Sequence, residues 1–304
     1  MHRNRIKSKK ERSHSAIRTA VQLAFACFLN GYAAGFFKGK IFQGKTKAFC
    51  VPVLNCYSCP GALGACPIGA LQTTIGKRSG NFPFYVLGTL TLFGVFCGRL
   101  LCGFVCPFGF IQDLLYKIPT KKIKMPKRID RPSRWLKYVV LAVFVVALPL
   151  FAKGEYGVSV PWFCKYICPA GTLEGGIPLV ASNESLKRLV GVLFNWKCAV
   201  LAVIVIASIF IGRFFCRYLC PLGAFYALFN KFSMYRMSVD EGKCTKCNKC
   251  EGVCPMAVEV TKNINSAECI RCGKCKASCP EDAIRSHFIS LGKEKTAEKS
   301  HTKN

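Results

Sequence analysis

Long apolar stretches recur along the chain and alternate with polar, mostly basic segments. Four of them stand out, at residues 16–37, 82–101, 136–152 and 189–211. Each is close to the length that an α-helix needs to cross about 30 Å of hydrocarbon, although the third is shorter. A basic leader precedes the first, as in a signal peptide, but this stretch is long for a signal-peptide core and several more follow. The pattern predicts an α-helical polytopic membrane protein with about four transmembrane helices.

The charge pattern predicts the orientation of these helices. The formal net charge is +29, and basic residues are concentrated at 1–18 and 117–137, directly beside apolar stretches. Such blocks typically face the cytoplasm and attract anionic lipid headgroups. Segment 153–188 is nearly balanced and is expected outside; segment 38–80 is basic, yet four crossings place it outside too. We therefore expect both termini in the cytoplasm of a bacterium or archaeon. Aromatic and basic residues do not interleave as in a single-strand groove, so nucleic acid is excluded as a partner.

Cysteine spacing supplies the chemistry. The chain has 21 cysteines, and residues 244–280 contain the run C-x2-C-x2-C-x3-C-P twice. This run is the signature of two-cluster bacterial ferredoxins, in which the fourth cysteine of each run binds the other cluster. The sequence therefore predicts two [4Fe–4S] clusters, the first held by Cys244, Cys247, Cys250 and Cys279, and the second by Cys269, Cys272, Cys275 and Cys254. Zinc motifs favour paired C-x2-C knuckles with a long spacer, so zinc is the lesser alternative, together with disulfides.

A second cysteine pattern repeats within the apolar region. Residues 98–118 align with residues 212–232, and both stretches contain a C-x3-C-P unit directly after an apolar stretch. Further Cys-Pro units occur at 56–71 and 164–173, in the segments predicted outside. The membrane region therefore reads as two pseudo-repeats. The copies are not exact, because the position four before Cys66 is Ala62.

These units offer two further ligand sets. Two thiols separated by C-x3-C lie one helical turn apart, on one face. If the repeats pack as symmetric halves, an inner set could hold a third [4Fe–4S] cluster: Cys102, Cys106, Cys216 and Cys220. An outer set could hold a fourth: Cys56, Cys59, Cys66, Cys164 and Cys168, with Cys50 as a spare. Disulfides (Cys59 with Cys66, or Cys164 with Cys168) and Cu(I) binding are the alternatives for the outer set.

Other residue types exclude several functions. The histidines lie only near the termini, at His2, His14, His287 and His301, so a bis-histidine haem within the membrane is excluded. No C-x-x-C-H or strand-linked G-x-G-x-x-G is present, which argues against c-type haem and nicotinamide or flavin domains. Asp113 and Glu174 follow Cys-Pro units and are interpreted as helix-surface or headgroup-level residues, with a quinone contact as the lesser alternative. Cys27, Cys97 and Cys198 are interpreted as buried small hydrophobic residues.

The predicted organisation has four parts. Residues 1–15 form a basic cytoplasmic leader, 16–237 a membrane domain, 238–285 an α+β two-cluster ferredoxin domain, and 286–304 a polar, basic tail expected to be disordered. The ferredoxin domain is expected to be cytoplasmic.

The G-R-x-x-C-x-x-x-C-P units after apolar stretches, followed by a two-cluster module, resemble the membrane polyferredoxin family, which includes NapH-type, NosR-type and CcoG-type proteins. The resemblance implies that Cys102, Cys106, Cys216 and Cys220 are the family's membrane motifs. It specifies a cofactor rather than a substrate, so quinone stays one candidate partner beside membrane lipids and redox proteins.

We therefore expect a membrane-bound electron-transfer subunit that passes electrons between a cytoplasmic partner and a membrane or extracytoplasmic acceptor. A copper- or metal-handling assembly protein and a redox-sensing membrane regulator are the alternatives.

Overall fold

The computed structural model describes residues 2–75, 83–123, 125–152 and 159–288, with side chains from Lys10 onward. Within these residues the protein is mostly helical, and its one sheet has two strands. The helices of the membrane domain are His2–Leu29, Ala34–Lys38, Pro67–Ile75, Phe84–Cys97, Leu100–Phe104, Pro107–Leu115, Lys127–Phe151 with a π-helical stretch at Leu141–Ala147, Trp162–Tyr166, Gly171–Gly176 continuing into Ile177–Ser182, Glu184–Arg188, Val192–Phe210, Phe214–Tyr218 and Pro221–Phe229, besides a 3-10 turn at Lys45–Ala48.

The prediction of four membrane-spanning helices is not confirmed. In the described part of the chain, two helices are long and apolar enough to cross a membrane, Lys127–Phe151 and Val192–Phe210. The helix at Phe84–Cys97 has only 14 residues, because Gly98 adopts a left-handed φ of 55° and ends it. The helix that begins at His2 ends at Leu29, well before residue 37.

A proline begins most of the helices that follow Cys-Pro units, at Pro67, Pro107 and Pro221. Proline suits this position because the first turn of a helix needs no backbone N–H donor. The helix Pro107–Leu115 packs on His2–Leu29 and on Val192–Phe210, whereas Pro221–Phe229 packs on Leu136–Val140 and on Phe84–Cys97. Each half of the membrane domain thus inserts a short helix between helices of both halves, as two pseudo-symmetric repeats would.

The ferredoxin domain is a small α+β unit. Strand β1 (Tyr235–Val239) pairs antiparallel with β2 (Ile284–Phe288), with Tyr235 opposite Phe288. The segment of chain that connects the two strands contains two short helices, Lys249–Gly252 and Lys274–Ser278. The predicted tail at 286–304 therefore starts inside β2, and its residues from 289 onward lie outside the described part.

Residues with a left-handed backbone conformation occur at equivalent positions in and after the two cysteine runs. Positive φ occurs at Lys246, Asn248 and Ala257 in the first run, and at Arg271, Gly273 and Asp282 in the second. Each lies at the same offset from the first cysteine of its run, so the two runs wrap their cavities with the same backbone turns.

The N-terminal helix joins the ferredoxin domain to the membrane domain. Lys10 forms an ion pair with Asp282, and Lys249 pairs with Glu11 at 3.0 Å. Further along the same helix, Arg18 donates to the carbonyl of Gly103 in the membrane domain at 3.1 Å. The basic leader expected at 1–15 is thus continuous with the first helix rather than a separate segment.

Candidate iron–sulfur sites

The eight ferredoxin cysteines surround two separate cavities. One cavity is lined by Cys244, Cys247, Cys250 and Cys279, and the other by Cys254, Cys269, Cys272 and Cys275. We call them the first and second ferredoxin cavities. In both, the fourth cysteine of one run lies with the first three of the other.

Backbone N–H groups point at sulfur atoms in this domain. The N–H of Val258 donates to Cys254 Sγ and that of Ala283 to Cys279 Sγ, both at 3.4 Å. At the exposed Cys247, the backbone N–H of Lys249 lowers the pKa of the thiol. Donors of this kind stabilise thiolates, which are the ligands of iron–sulfur clusters. The first ferredoxin cavity includes this exposed cysteine, whereas Cys272 and Cys275 of the second are buried.

Four buried cysteines of the membrane domain come together beside the ferredoxin domain. They are Cys102, Cys106, Cys216 and Cys220, which we call the proximal site. Burial raises the pKa of the Cys220 thiol, and the nearby thiols of Cys216, Cys102 and Cys106 raise it further. A Cβ atom on Gly103 would lie 2.5 Å from the carbonyl oxygen of Ile270, so the ferredoxin domain is in direct contact with the proximal site.

A second group of membrane-domain cysteines lines another cavity. Its members are Cys56, Cys66, Cys164 and Cys168, which we call the distal site. A Cβ atom on Gly171 would lie 3.7 Å from both Cys168 Sγ and Cys56 Sγ, so glycine leaves room for the two thiols to approach. The structure does not bring Cys59 into this cavity. Its thiol instead faces Asn30 Oδ1 at 3.5 Å, because Asn30 follows the end of the first helix and caps the turn there.

Two arginines stabilise the proximal site, and each donates a hydrogen bond to a cysteine carbonyl of the other pseudo-repeat. Arg99 Nη2 donates to the carbonyl of Cys216 at 3.1 Å, and Arg213 Nη1 donates to the carbonyl of Cys102 at 2.5 Å. Each arginine comes from one pseudo-repeat and binds the cysteine of the other. Both side chains are fully buried.

The counter-ions of these arginines differ. Arg213 pairs with Asp113 at 2.6 Å, and Arg18 pairs with the same carboxylate. Asp113 is therefore a buried ion-pair partner and not a headgroup-level residue. The reason is that Arg18 of the first helix and Arg213, which directly precedes the helix Phe214–Tyr218, converge on it. Burial alone would raise the pKa of Asp113. The positive charges of Arg213 and Arg18 outweigh this effect and hold that pKa below its usual value.

Glu268 of the ferredoxin domain occupies the corresponding place beside Arg99, at 3.1 Å, and also pairs with Lys137. Burial alone would raise the pKa of Glu268. The positive charges of Arg99 and Lys137 outweigh this effect and hold that pKa below its usual value. This network crosses from the membrane domain into the loop that carries Cys269.

Glu174 lies at the distal site rather than at a helix surface. Its Oε2 accepts a hydrogen bond from the backbone N–H of Cys56 at 2.9 Å. Burial raises the pKa of Glu174 to about 7, and the hydrogen bond from Cys56 offsets part of the rise.

Two glutamines that the sequence analysis did not single out contact cysteine sulfurs. Gln112 Nε2 lies 3.1 Å from Cys216 Sγ, and Gln72 Nε2 lies 3.4 Å from Cys164 Sγ. The sequence does carry a signal for them, since CPIGALQ and CPFGFIQ place glutamine six residues after a cysteine.

The remaining cysteines do not join these sites. Cys27 is exposed, so its interpretation as a buried residue was wrong, and Cys97 and Cys198 are half-buried. They lie on apolar helices whose other faces supply the packing. Cys50 forms an isolated bridge with Ala65, next to Cys66. All 21 cysteines are free thiols in the structure.

The spacing of the cysteine side chains does not suit a single metal ion. Among the described residues, no three Cys, His, Asp or Glu side chains lie close enough to share a single metal ion. A [4Fe–4S] cube bonds each thiolate to a different iron, so its ligands surround a cavity instead. The cavities, the four-thiol sets and the N–H donors suit such a cube.

Comparisons with known proteins agree with this chemistry. A family model described as a 4Fe-4S binding domain matches residues 64–85, 82–126, 137–177 and 198–236, and a 4Fe-4S dicluster domain matches residues 236–280. The first model covers the Cys-Pro units of the membrane domain from residue 64 onward, which leaves Cys56 and Cys59 outside it, and the second covers the ferredoxin runs. No solved structure matches the chain at a significant level.

Several curated proteins are similar to the chain. An uncharacterized protein of Methanocaldococcus jannaschii is 32% identical over 66% of this chain and 76% of its own length. The putative electron transport protein YccM of Escherichia coli is 27% identical over 55% of this chain and 44% of its own length. The methylamine utilization ferredoxin-type protein MauN of Paracoccus denitrificans is 27% identical over 52% of this chain and 48% of its own length. The chain thus spans about half the length of the last two relatives.

Proposed function

Because the chain belongs to the membrane polyferredoxin family of 4Fe–4S electron transport proteins, we propose that it carries electrons between a cytoplasmic partner and an acceptor in or beyond the membrane. The observation that supports this best is the presence of four cysteine sets, with the exposed Cys247 at the first ferredoxin cavity. The second ferredoxin cavity adjoins the proximal site, because a Cβ atom on Gly103 would lie 3.7 Å from Cys272 Cα. The two apolar helices support a membrane location.

The eight ferredoxin cysteines bind two clusters crosswise. Cys279 completes the set of Cys244, Cys247 and Cys250, and Cys254 completes that of Cys269, Cys272 and Cys275, as the lining of the two cavities supports. When bound, a [4Fe–4S] cluster accepts and releases one electron at a potential that the surrounding protein sets.

The proximal and distal sites each take one further cluster. Their thiols come from both pseudo-repeats, so each site is complete only when the halves pack together. The proximal site adjoins the ferredoxin domain at Gly103. It is linked to the distal side by Tyr226, whose hydroxyl donates to the carbonyl of Pro52 at 2.9 Å. Tyr226 lies in the helix that begins after Cys220, and Pro52 lies in the loop that leads to Cys56.

The chain's own residues hold the cysteines of the proximal site in place and shield that site from water. Buried arginines fix the cysteine backbones of the proximal site, and the apolar helices exclude water from it. We place both termini and the ferredoxin domain in the cytoplasm, with anionic lipid at the basic segments and quinone or a redox protein as acceptor. We propose that the protein acts as an electron-transfer subunit of an oxidoreductase system.

Liposomes test this proposal. The purified protein is inserted into vesicles that contain ferricyanide, and an impermeant reductant is added outside, so that each electron crossing the bilayer reduces one trapped ferricyanide. Cys168→Ala removes a distal thiol, whereas Cys198→Ala removes a half-buried thiol that belongs to none of the four cysteine sets and serves as the control.

We expect reduction of trapped ferricyanide with the wild type and Cys198→Ala, and little with Cys168→Ala. Equal rates in all three would contradict the proposal. Tight, stoichiometric Cu(I) binding by the distal thiols, with no transmembrane electron flow, would favour a metal-handling protein.

A further inference from the structure

The first half of the membrane domain contributes two buried glutamines, and each of them contacts a cysteine of the second half. Gln72 follows Cys66 by six residues and Gln112 follows Cys106 by six. The side chains are 0% and 1% exposed, respectively. Neither belongs to a thiol set, and burying an amide so completely is unfavourable unless its polar atoms are all paired.

Both amides are fully paired, and in the same way. Gln112 Oε1 accepts from the backbone N–H of Phe215 at 3.1 Å, while Nε2 donates to Cys216 Sγ at 3.1 Å and to the Phe108 carbonyl at 3.5 Å. Since the oxygen is committed to a backbone donor, the NH₂ group is the one that faces sulfur.

The second amide repeats this geometry. Gln72 Oε1 accepts from the backbone N–H of Phe163 at 3.0 Å, while Nε2 donates to Cys164 Sγ at 3.4 Å and to the Ile68 carbonyl at 3.1 Å. In each case the backbone acceptor lies four residues earlier in the glutamine's own helix, and the backbone donor directly precedes the cysteine. Two independent occurrences of one arrangement make a purely packing role a poor explanation.

The other two Cys-Pro helices carry different residues at the equivalent position. Glu174 follows Cys168 by six residues and accepts from the Cys56 backbone, while Tyr226 follows Cys220 by six and donates to the Pro52 carbonyl. In these contacts neither side chain donates to a sulfur. The amide is therefore specific to the helices of the first half, and it gives each site one such donor.

We infer that Gln112 and Gln72 are positioning residues that orient Cys216 and Cys164 and raise the reduction potentials of the clusters at the proximal and distal sites. This inference rests on the proposed function, since it needs clusters at both sites. Its physical basis is charge: reduction adds an electron to the cluster and its thiolates, and an N–H donor at sulfur stabilises the more negative state. Removing the donor lowers the potential of that cluster alone.

The test uses Gln112→Met and Gln72→Met, which keep the length of the side chain and remove its donors. Each variant is the control for the other, because each glutamine contacts the sulfur of one site only. Iron and acid-labile sulfide are counted in anaerobic protein, and each cluster's midpoint potential is then measured by EPR redox titration. Signals are assigned beforehand with Cys220→Ala for the proximal site and Cys168→Ala for the distal site.

We expect Gln112→Met to lower the midpoint potential of the proximal cluster only, and Gln72→Met that of the distal cluster only. Loss of the cluster at the affected site, with the other clusters retained, also supports the positioning role. Unchanged potentials, or equal changes at both sites, would overturn the inference while leaving the proposed function intact. A wild-type protein without iron at the membrane sites would overturn both.

Discussion

Substituting Glu268 by glutamine should loosen the ferredoxin domain from the membrane domain. Its carboxylate pairs with Arg99 at 3.1 Å and with Lys137, and both cations are 0% exposed. Glutamine has nearly the same shape but no charge, so two buried cations lose their counter-ion. Removing one partner of a buried ion pair costs about 3–5 kcal/mol. At about 1.4 kcal/mol per tenfold change, the lower value makes opening of this contact about 100-fold more frequent.

Amide hydrogen exchange can measure this opening. Backbone amides buried at the contact between the domains, such as that of Ile270 beside Gly103, should exchange about 100-fold faster in Glu268→Gln. Glu259→Gln is the matched control, because Glu259 lies in the same domain but pairs with Lys127 at the surface. We expect no change in the control. If Glu268→Gln exchanges at the wild-type rate too, the buried network does not hold the domains together and our reasoning is refuted.

Three more changes test the packing and the ligand sets. Asp113→Asn leaves two buried arginines without a counter-ion and should cost about 3–5 kcal/mol, seen as a lower melting temperature in detergent; an unchanged value would argue against the ion-pair assignment. Gly103→Ala places a methyl group against the ferredoxin domain and should speed its release by trypsin, whereas Gly252→Ala, with open space around the new Cβ, should not. Cys254→Ala should abolish the EPR signal of the second cluster and Cys279→Ala that of the first, and the opposite result would rule out crosswise ligation.

The ferredoxin cavities could be anticipated from the sequence because the cysteine spacing is local. Within each run, backbone turns bring three cysteines together, and the fourth reaches the neighbouring cavity by the same geometry in both copies. The short helices after Cys-Pro units were equally predictable, since proline favours a first helical turn. Ligation itself, at these and at the membrane cysteines, stays a prediction.

The helix lengths and the polar contacts were not predictable from hydropathy. An apolar run from 82 to 101 cannot show that the backbone reverses its φ at Gly98. The exchanged contacts of Arg99 and Arg213 depend on which helix packs beside which, and a single sequence contains no direct signal for that. Cys59 illustrates the same limit, because its spacing to Cys56 resembles a ligand pair while the fold points its thiol at Asn30.

The number of iron atoms bound by the protein tests the central claim most directly. Anaerobically purified protein is analysed for iron, acid-labile sulfide and zinc, and its EPR spectrum is recorded after reduction. Four cysteine sets that each hold one cube predict about sixteen irons and about sixteen sulfides per chain. About eight irons would mean that the proximal and distal sites carry no cluster, and colourless protein with stoichiometric zinc would contradict the account entirely.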